Sequence, residues 1–380
     1  MSIDLVVGAG LTCLIVAQLV LILWNRREMA RPEPRVWNGD APAVSVLVPA
    51  RNEEDTIAGC LERLLTQDYP DIEILVLDDG STDATAAIAA GFSDRGVRVV
   101  AGAALAEGWT GKNWACHQLA GQAAGDVLCF VDADTMLEPD AVSSAIGLIL
   151  EHDAGLVSML PRARSTSLSS AVMLPMISHA VFGLFPVAAI HRSRNPMVAV
   201  AFGPFVTVTS KAYRAAGGHA AAPTHVVDDV QLSRNVKAAG YRVRLADGTD
   251  LVATRWYTRL GEIWRGFSKN AYGGLGYNPW IGAVVVFGLV PLLLIPFVRV
   301  GMGVAAGDVP DQAAWQCLLL VTNRALTSNL GRDPYWSAVF HPLTVAFWGA
   351  TLLRSMTWYA TQRSVVWKDR DVPTSPGRPG

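Results

Sequence analysis

Apolar positions run along this chain in two distinct patterns. In three places they continue without charge for the length of a membrane-crossing helix: Leu5 to Asn25, closed by Arg26 and Arg27, then Pro279 to Val298, and Tyr335 to Leu353. Each matches the roughly 30 Å hydrocarbon core of a bilayer. The arginines after the first stretch place its C-terminal side in the cytoplasm. No small-residue cleavage site stands out, so it reads as an uncleaved anchor. Gln312 to Asn323 is uncharged but short, with Arg324 just beyond it. It reads as a fourth span or as a re-entrant piece. Without it, the tail carrying Arg354, Arg363 and Lys368 returns to the cytoplasm, as the positive-inside rule prefers. Ser165 to His191 is also uncharged, but Pro175 and Pro186 divide it into short pieces.

The second pattern, from Ala43 to about Leu160, alternates strand and helix. Val44 to Val48, Ile72 to Leu77, Val97 to Val100 and Val127 to Val131 are short apolar runs of strand length. Asn52 to Gln67 carries Ile57, Leu61, Leu64 and Leu65 at helical spacing. Ser81, Thr82 or Asp83 can cap the alanine-rich helix after the second strand, and Pro139 suits the first turn of the helix after the fourth. This βαβ series predicts an α/β fold, a mostly parallel sheet with helices on both faces. Ligands in such sheets bind beyond the carboxyl ends of the strands. Three polar motifs fall at those ends: Pro49-Ala50-Arg51-Asn52-Glu53, Asp78-Asp79 and Asp132-Ala133-Asp134.

Composition agrees with a globular domain tied to membrane segments. The chain has 380 residues, 51% hydrophobic and 17% charged, with a mean hydropathy of +0.30. Soluble domains carry about 25% charged residues. A formal net charge of −2 offers no case for a nucleic-acid partner. The 5 cysteines (Cys13, Cys60, Cys116, Cys129 and Cys317) form no CxxC pair and fit a reducing compartment rather than a disulfide framework. Val6 to Gly10 matches only the opening of a dinucleotide fingerprint. No strand precedes it, and Cys13 stands where its third glycine belongs.

The strand-end residues define the candidate chemistry. Asp132 and Asp134 offer hard oxygen ligands for Mg2+ or Mn2+, which also hold phosphate oxygens; the structural alternative is a loop with two solvated aspartates or a helix cap. Asp78 to Asp83 has turn and cap chemistry, and one of its carboxylates is free to meet a base or ribose. Gly111-Lys112 supplies an N–H and a cation for a diphosphate, or a solvated lysine at a helix start. Asp228 and Asp229, beside apolar residues, offer a general base whose neighbour raises its proton affinity. They also suit the cap of a helix from Val230 to Lys237.

PARNEE at 49–54, LDDGSTD at 77–83, DAD at 132–134 and the DD before QLSRNVKAAGYR at 231–242 resemble the family 2 glycosyltransferases of GT-A fold. GWTGKNWACHQ at 108–118, AFGPFVTVTSKAYRAAGGH at 201–219, GFSKN at 266–270 and VVWKDR at 365–370 resemble more narrowly the bacterial membrane glycosyltransferases of the carotenoid (diaponeurosporenoate-type) branch, with the hopanoid-associated branch a near relative. The resemblance implies an N-terminal anchor at 1–26 and a GT-A domain at 43–270, with a nucleotide half at 43–160 and an acceptor half at 161–270. Two or three membrane helices at 279–355 and a tail at 356–380 follow. It also implies a multi-pass protein of the bacterial inner membrane with its catalytic domain in the cytoplasm.

The same resemblance implies inverting transfer from a nucleotide-diphosphate sugar, a UDP-sugar first, to a lipid-like acceptor of isoprenoid or carotenoid type. Pro49, Ala50, Asn52 and Glu53 would line the nucleotide, Asp79 its base or ribose, and Lys112 the diphosphate. Asp132 and Asp134 would hold Mg2+ or Mn2+, Asp134 as the direct ligand. Asp229 would deprotonate the acceptor beside Asp228; a carboxylate acceptor needs no base, and Asp229 would then position it. The Q/R-x-x-R-W signature of processive synthases is missing, since Val252 stands where its first residue belongs before Arg255-Trp256. Arg265 or Lys269 would replace that phosphate or acceptor contact, or serve as basic residues of an interfacial helix. A single span at 165–191 would part Asp134 from Asp229 across the membrane, so that segment is expected to stay on the cytoplasmic side, His179 and His191 being interfacial. The alternatives are transfer to polyprenyl phosphate, diacylglycerol or another lipid, and a catalytically silent GT-A-like binding module.

Overall fold

The computed structural model describes residues 3–29, 31–37, 39–361, 364–367 and 370–373. They fall into two compact units interleaved along the chain.

One unit, built on Ala30–Arg162 and Ala189–Trp256, holds a seven-stranded sheet. Its strands in chain order are β1 (Val44–Ala50), β2 (Ile72–Asp78), β3 (Val97–Ala101), β4 (Val127–Val131), β5 (Ala154–Leu160), β6 (Phe205–Thr209) and β7 (Arg242–Asp247). The spatial order is β3-β2-β1-β4-β6-β5-β7. The pairs β1/β2, β2/β3, β1/β4 and β5/β7 are parallel, while β6 runs antiparallel between β4 and β5. The mostly parallel expectation therefore holds, with one reversed strand. Val44 to Val48 are all buried, as a strand covered on both faces requires. Strand order reverses beside β1, where β2 lies on one side and β4 on the other, and this switch point is where an open α/β sheet leaves a crevice.

The helix expected from Asn52 starts only at Ile57 and ends at Leu64. Its buried face is Ile57, Cys60, Leu61 and Leu64, the i, i+3, i+4, i+7 stripe of an amphipathic helix. The preceding backbone is tied elsewhere. Asn52 N–H donates to Ser81 Oγ at 3.0 Å, Glu53 N–H to Thr85 Oγ1 at 2.7 Å, and Asn52 has φ of 50°. These bonds join the turn after β1 to the turn after β2 and prevent an earlier helix start. The alanine-rich helix runs Thr85–Ala90, and Asp83 accepts from the Thr85 backbone at 3.0 Å.

The other unit is helical and gathers Met1–Met29, Ala163–Ala188 and Tyr257–Thr361. The segment 163–188 and the helix Leu260–Gly274 thus group with the apolar helices, whereas the sequence placed 161–270 in the catalytic domain. Among the described residues, three stretches are long and apolar enough to cross a membrane by length and composition: Gly8–Glu28, Pro279–Ala306 and Tyr335–Thr361. The last runs past the 355 boundary. Ser165 to His191 falls into Leu168–Met173, Met176–Gly183 and Val187–Arg192, broken near its two prolines.

Gln312 to Asn323 belongs to a 20-residue helix, Asp311–Leu330, which is not among the three. Its Gln316, Asn323 and Arg324 are fully buried. Gln316 donates to Gly8 O at 2.9 Å, Asn323 to Ile15 O at 3.1 Å, and Arg324 to Pro175 O at 2.5 Å. His179 is buried as well, 2.9 Å from Thr327 Oγ1 and 3.3 Å from Gln18 Nε2. It is an interior packing residue rather than an interfacial one. His191, in the other unit, bonds the Leu245 backbone. Arg363, Lys368 and Asp369, part of the tail reading, lie outside the described residues.

Candidate active site

A pocket opens at the switch point of the sheet. It is lined by Pro49 at the end of β1, Asp132 after β4, Lys112 and Cys116 on helix Gly111–Gln122, Asp228 and Asp229 on helix Asp228–Ala238, and Gly203 and His219. Residues 180 positions apart in sequence converge because three local devices aim them.

The first device is a capped helix start. Thr110 accepts from Asn113 N–H and begins the helix that carries Lys112. Asn113, almost fully buried, donates through Nδ2 to the carbonyls of Ala222, Pro223 and His225 at 2.8, 3.1 and 3.0 Å. Thr110 N–H also bonds Pro223 O at 2.8 Å. Lys112 is thereby locked to the loop that leads into Asp228.

The second device is the reversed strand β6. Its pairing sets Val131 opposite Phe205, which brings Gly203 beside Asp132. A Cβ on Gly203 would lie 3.1 Å from Lys112 Nζ, 3.3 Å from Asp229 Oδ2 and 3.5 Å from Asp132 Oδ2. Glycine leaves that space to the charged groups. The third device is the first turn of helix Asp228–Ala238, which both aspartates occupy. The helix starts two residues earlier than Val230, so they are first-turn residues rather than caps, where a negative charge is stabilised by the helix dipole.

The charges within the pocket form one connected set. Lys112 Nζ is 2.8 Å from Asp132 Oδ1 and 3.5 Å from Asp228 Oδ2. Burial works against the lysine charge, but Asp132, Asp228 and Asp229 outweigh it and hold the ammonium form well above the usual range. Asp229 Oδ2 accepts from Gly203 N–H at 2.6 Å and Oδ1 from Val230 N–H at 2.8 Å. Burial first, and then the neighbouring Asp228, push its carboxyl up to about 7. A carboxyl held there is poised for proton transfer near neutral pH.

The remaining expected residues sit around this set. Asp134 Oδ1 accepts from Thr254 Oγ1 at 3.4 Å, where Thr135–Leu137 pairs with Val252–Thr254. Asp134, Asp132 and Glu53 together raise the proton affinity of the buried Cys60 thiol, after burial itself, so the three carboxylates share one neighbourhood. Asp78 accepts from Ser81 N–H and closes the turn. Asp79 is buried, and its N–H donates to Ala50 O at 2.9 Å. The Ala50 side chain belongs to the core, and its backbone carbonyl is this acceptor. Arg51 braces the same edge through the carbonyls of Asp79 and Gly80. Arg265 and Lys269 lie on helix Leu260–Gly274 of the helical unit and are not among the residues lining the pocket.

No group of three or more His, Cys, Asp or Glu side chains among the described residues is arranged to hold a metal ion. Asp132 and Asp134 provide two carboxylates. That donor set fits a hard cation that keeps water ligands and is completed by substrate phosphates. Gly203, Cys116 and His219 were not singled out from the sequence. Glycine, cysteine and histidine have common structural uses, and their site roles follow from strand pairing and loop geometry.

Comparison with known proteins agrees with this architecture. The model of glycosyl transferase family 2 matches residues 45–203, and that of glycosyl transferase family group 2 matches residues 127–351. A 4,4'-diaponeurosporenoate glycosyltransferase of Staphylococcus aureus strain MRSA252 is 28% identical over 369 residues, covering 93% of this chain and 94% of that protein. Its counterpart in strain USA300 is 28% identical over 364 residues, with 93% and 94% covered. A mannosyltransferase from Pyrobaculum calidifontis, solved with GDP-Man and Mn2+, superposes with a TM-score of 0.53 at 18% identity, covering 93% of this chain and 97% of that one, and shows the common fold. A sheet with its polar motifs at the switch point, and a family match that spans more than half of the sequence, lead to one conclusion: the chain belongs to glycosyl transferase family group 2 and is a glycosyltransferase.

Proposed function

We propose that this enzyme is an inverting glycosyltransferase of the bacterial inner membrane that moves a sugar from a nucleotide-diphosphate sugar to an isoprenoid or carotenoid-type lipid acceptor. The observation that carries the reading is the convergence of Lys112, Asp132, Asp228 and Asp229 in one pocket at the sheet switch point. A cation and carboxylates there match the two halves of the reaction, a departing diphosphate and an arriving nucleophile. Pro49, Ala50, Asn52, Glu53 and Asp79 form the adjoining edge for the nucleoside. The relatives named above supply the acceptor class, and a UDP-sugar is the first donor to test.

Asp132 and Asp134 would hold Mg2+ or Mn2+, which neutralises charge building on the diphosphate. Lys112 places its ammonium group against the same oxygens. The acceptor oxygen attacks the anomeric carbon from the face opposite the diphosphate, so the configuration inverts. The C–O bond to the sugar forms as the C–O bond to phosphate breaks, and that electron pair leaves on the diphosphate. With a hydroxyl acceptor, Asp229 takes the proton. With a carboxylate acceptor there is no proton to take, and Asp229 positions the nucleophile. The apolar faces of the three span-length helices, with Trp280, Phe287 and Met302 exposed, suit a bilayer, where a lipid acceptor resides.

The test uses membranes containing the full chain, supplied with Mn2+ and UDP-glucose or GDP-mannose. The acceptor is 4,4'-diaponeurosporenoate, a polyprenyl phosphate or diacylglycerol in turn. Mass spectrometry is expected to find a hexosyl ester of the carotenoid acid, lost with a chelator and lost in Asp134→Asn at wild-type folding. A hexosyl polyprenyl phosphate or glycolipid instead reassigns the acceptor. Undiminished transfer by Asp134→Asn removes that residue from the metal site. No product from any pair, in protein that still binds UDP, favours a silent binding module.

A further inference from the structure

His219 enters the pocket by a construction that fixes which of its nitrogens faces the substrate. It follows Gly217 and Gly218, whose φ angles of 75° and 55° favour glycine. A Cβ on Gly218 would stand 2.5 Å from the Tyr213 ring. The glycine therefore lets Tyr213, on helix Ser210–Ala215, pack directly beneath the turn. The imidazole then lies between Tyr213 and the edge of Phe130, with ring centroids 4.9 Å apart in the latter pair.

The hydrogen bonds select a tautomer. Tyr213 Oη accepts the backbone N–H of His219 at 3.2 Å and lies 2.9 Å from His219 Nδ1. A phenol has one proton to donate. Giving it to Nδ1 satisfies both the hydroxyl and Nδ1, and no other acceptor for the Tyr213 hydroxyl is present among the described residues. The reverse arrangement, with Nδ1 donating, would leave the mostly buried hydroxyl proton unpaired, at the cost of a lost hydrogen bond. Burial first, then the Lys112 cation, push the imidazole down to about 3, so the ring is neutral. A neutral ring with Nδ1 accepting carries its proton on Nε2. Nε2 has no protein partner among the described residues, is not sealed from solvent, and belongs to the ring that lines the pocket with Lys112, Asp132, Asp228 and Asp229.

We propose that His219 Nε2–H reads the transferred sugar by donating a hydrogen bond to one of its hydroxyl groups, with Tyr213 as the positioning residue that holds the donating tautomer. The inference rests on the nucleotide-sugar reading above. The diphosphate is matched by the Lys112 cation, the lining lysine. An uncharged, rigid donor in the same pocket suits an uncharged oxygen, and sites built to bond a hydroxyl discriminate strongly against analogues that lack it.

The test measures kcat/KM for the full-length enzyme in detergent with UDP-glucose and its 2-, 3-, 4- and 6-deoxy derivatives, with 4,4'-diaponeurosporenoate as acceptor. If UDP-glucose is not turned over, the GDP-mannose series replaces it. His219→Phe keeps the ring volume and removes the donor; His219→Gln returns an N–H near the Nε2 position. His219→Phe is expected to lose about tenfold or more in kcat/KM with the parent sugar, with the Kd for UDP (or GDP) unchanged and activity partly restored in His219→Gln. One deoxy donor is expected to react at equal rates with wild type and His219→Phe, which names the hydroxyl. An equal loss across all donors, or weakened binding of the nucleoside diphosphate itself, overturns the proposal in favour of a structural or a phosphate contact. Turnover by the wild type with no effect of His219→Phe overturns it alone; a wild type inert toward every nucleotide sugar overturns the donor reading as well.

Discussion

At the residue scale, the pocket depends on how its charges are partnered. Lys112 is flanked by carboxylates that keep it charged, and Asp229 accepts from two backbone N–H groups in a half-buried position where desolvation and Asp228 favour its protonated form. A base must be ionised to act. With a hydroxyl acceptor, kcat/KM is therefore expected to fall about tenfold per pH unit below about 7, where the Asp229 carboxyl titrates. A carboxylate acceptor reverses the sign: a protonated Asp229 donates to it, an ionised one repels it, and activity falls as pH rises through the same region. Paired pH–rate profiles for a long-chain alcohol and 4,4'-diaponeurosporenoate check this. Parallel profiles, or no break that moves in Asp228→Asn, would count against Asp229 as the group at the nucleophile. The acidic residues themselves were legible from the sequence. Their pairing with Lys112 was not, because Lys112 and Asp228 lie over a hundred positions apart, and hydrophobic periodicity carries no signal for such a contact.

At the element scale, the apolar runs of β1, β2, β3 and β4 predicted their strands closely, since a continuous buried run leaves few alternatives. The helix at Asn52 was misplaced by five residues because side chains from the next turn capture its backbone N–H groups, and such long-range capture leaves no local pattern. The reversal of strand β6 and the burial of helix Asp311–Leu330 were hidden for a related reason. One is a short β-branched run whose direction no local pattern encodes, and the polar residues of the other bond to neighbouring helices. Asn113 shows how an element is aimed: one buried amide meets three carbonyls of the 222–225 loop. Asn113→Ala is expected to cost about 1–3 kcal/mol of stability through the unmet carbonyls and to lower kcat/KM at least tenfold. The loss reflects displacement of Lys112 from Asp228. Thermal unfolding and initial rates measure both; a stability loss with unchanged turnover at permissive temperature would show that the clamp serves folding alone.

At the scale of the whole molecule, catalytic and helical units alternate along the chain, so the sequence crosses from one to the other several times. The crossings tether the catalytic unit to a helical unit that includes helices with the length and apolarity of membrane spans. The full chain is expected to stay in the membrane pellet after an alkaline carbonate wash. Protease added to inverted vesicles, but not to intact spheroplasts, is expected to cleave within the 43–160 segment. Release by carbonate would remove the helices from the bilayer, and cleavage in spheroplasts would reverse the orientation. The sequence by itself determined the span-length apolar helices, the α/β order of the first half and the acidic motifs at its strand ends. These depend on local periodicity and on residue chemistry that any segment displays. Only the tertiary structure decided that β6 runs backwards to set Gly203 among the charges, that Asn113 ties Lys112 to Asp228, and that Tyr213 orients His219. The first two depend on contacts between residues distant in sequence, whose free energy exists only once the sheet has brought them together; the third depends on a six-residue turn whose Gly217-Gly218 geometry no apolar periodicity reports.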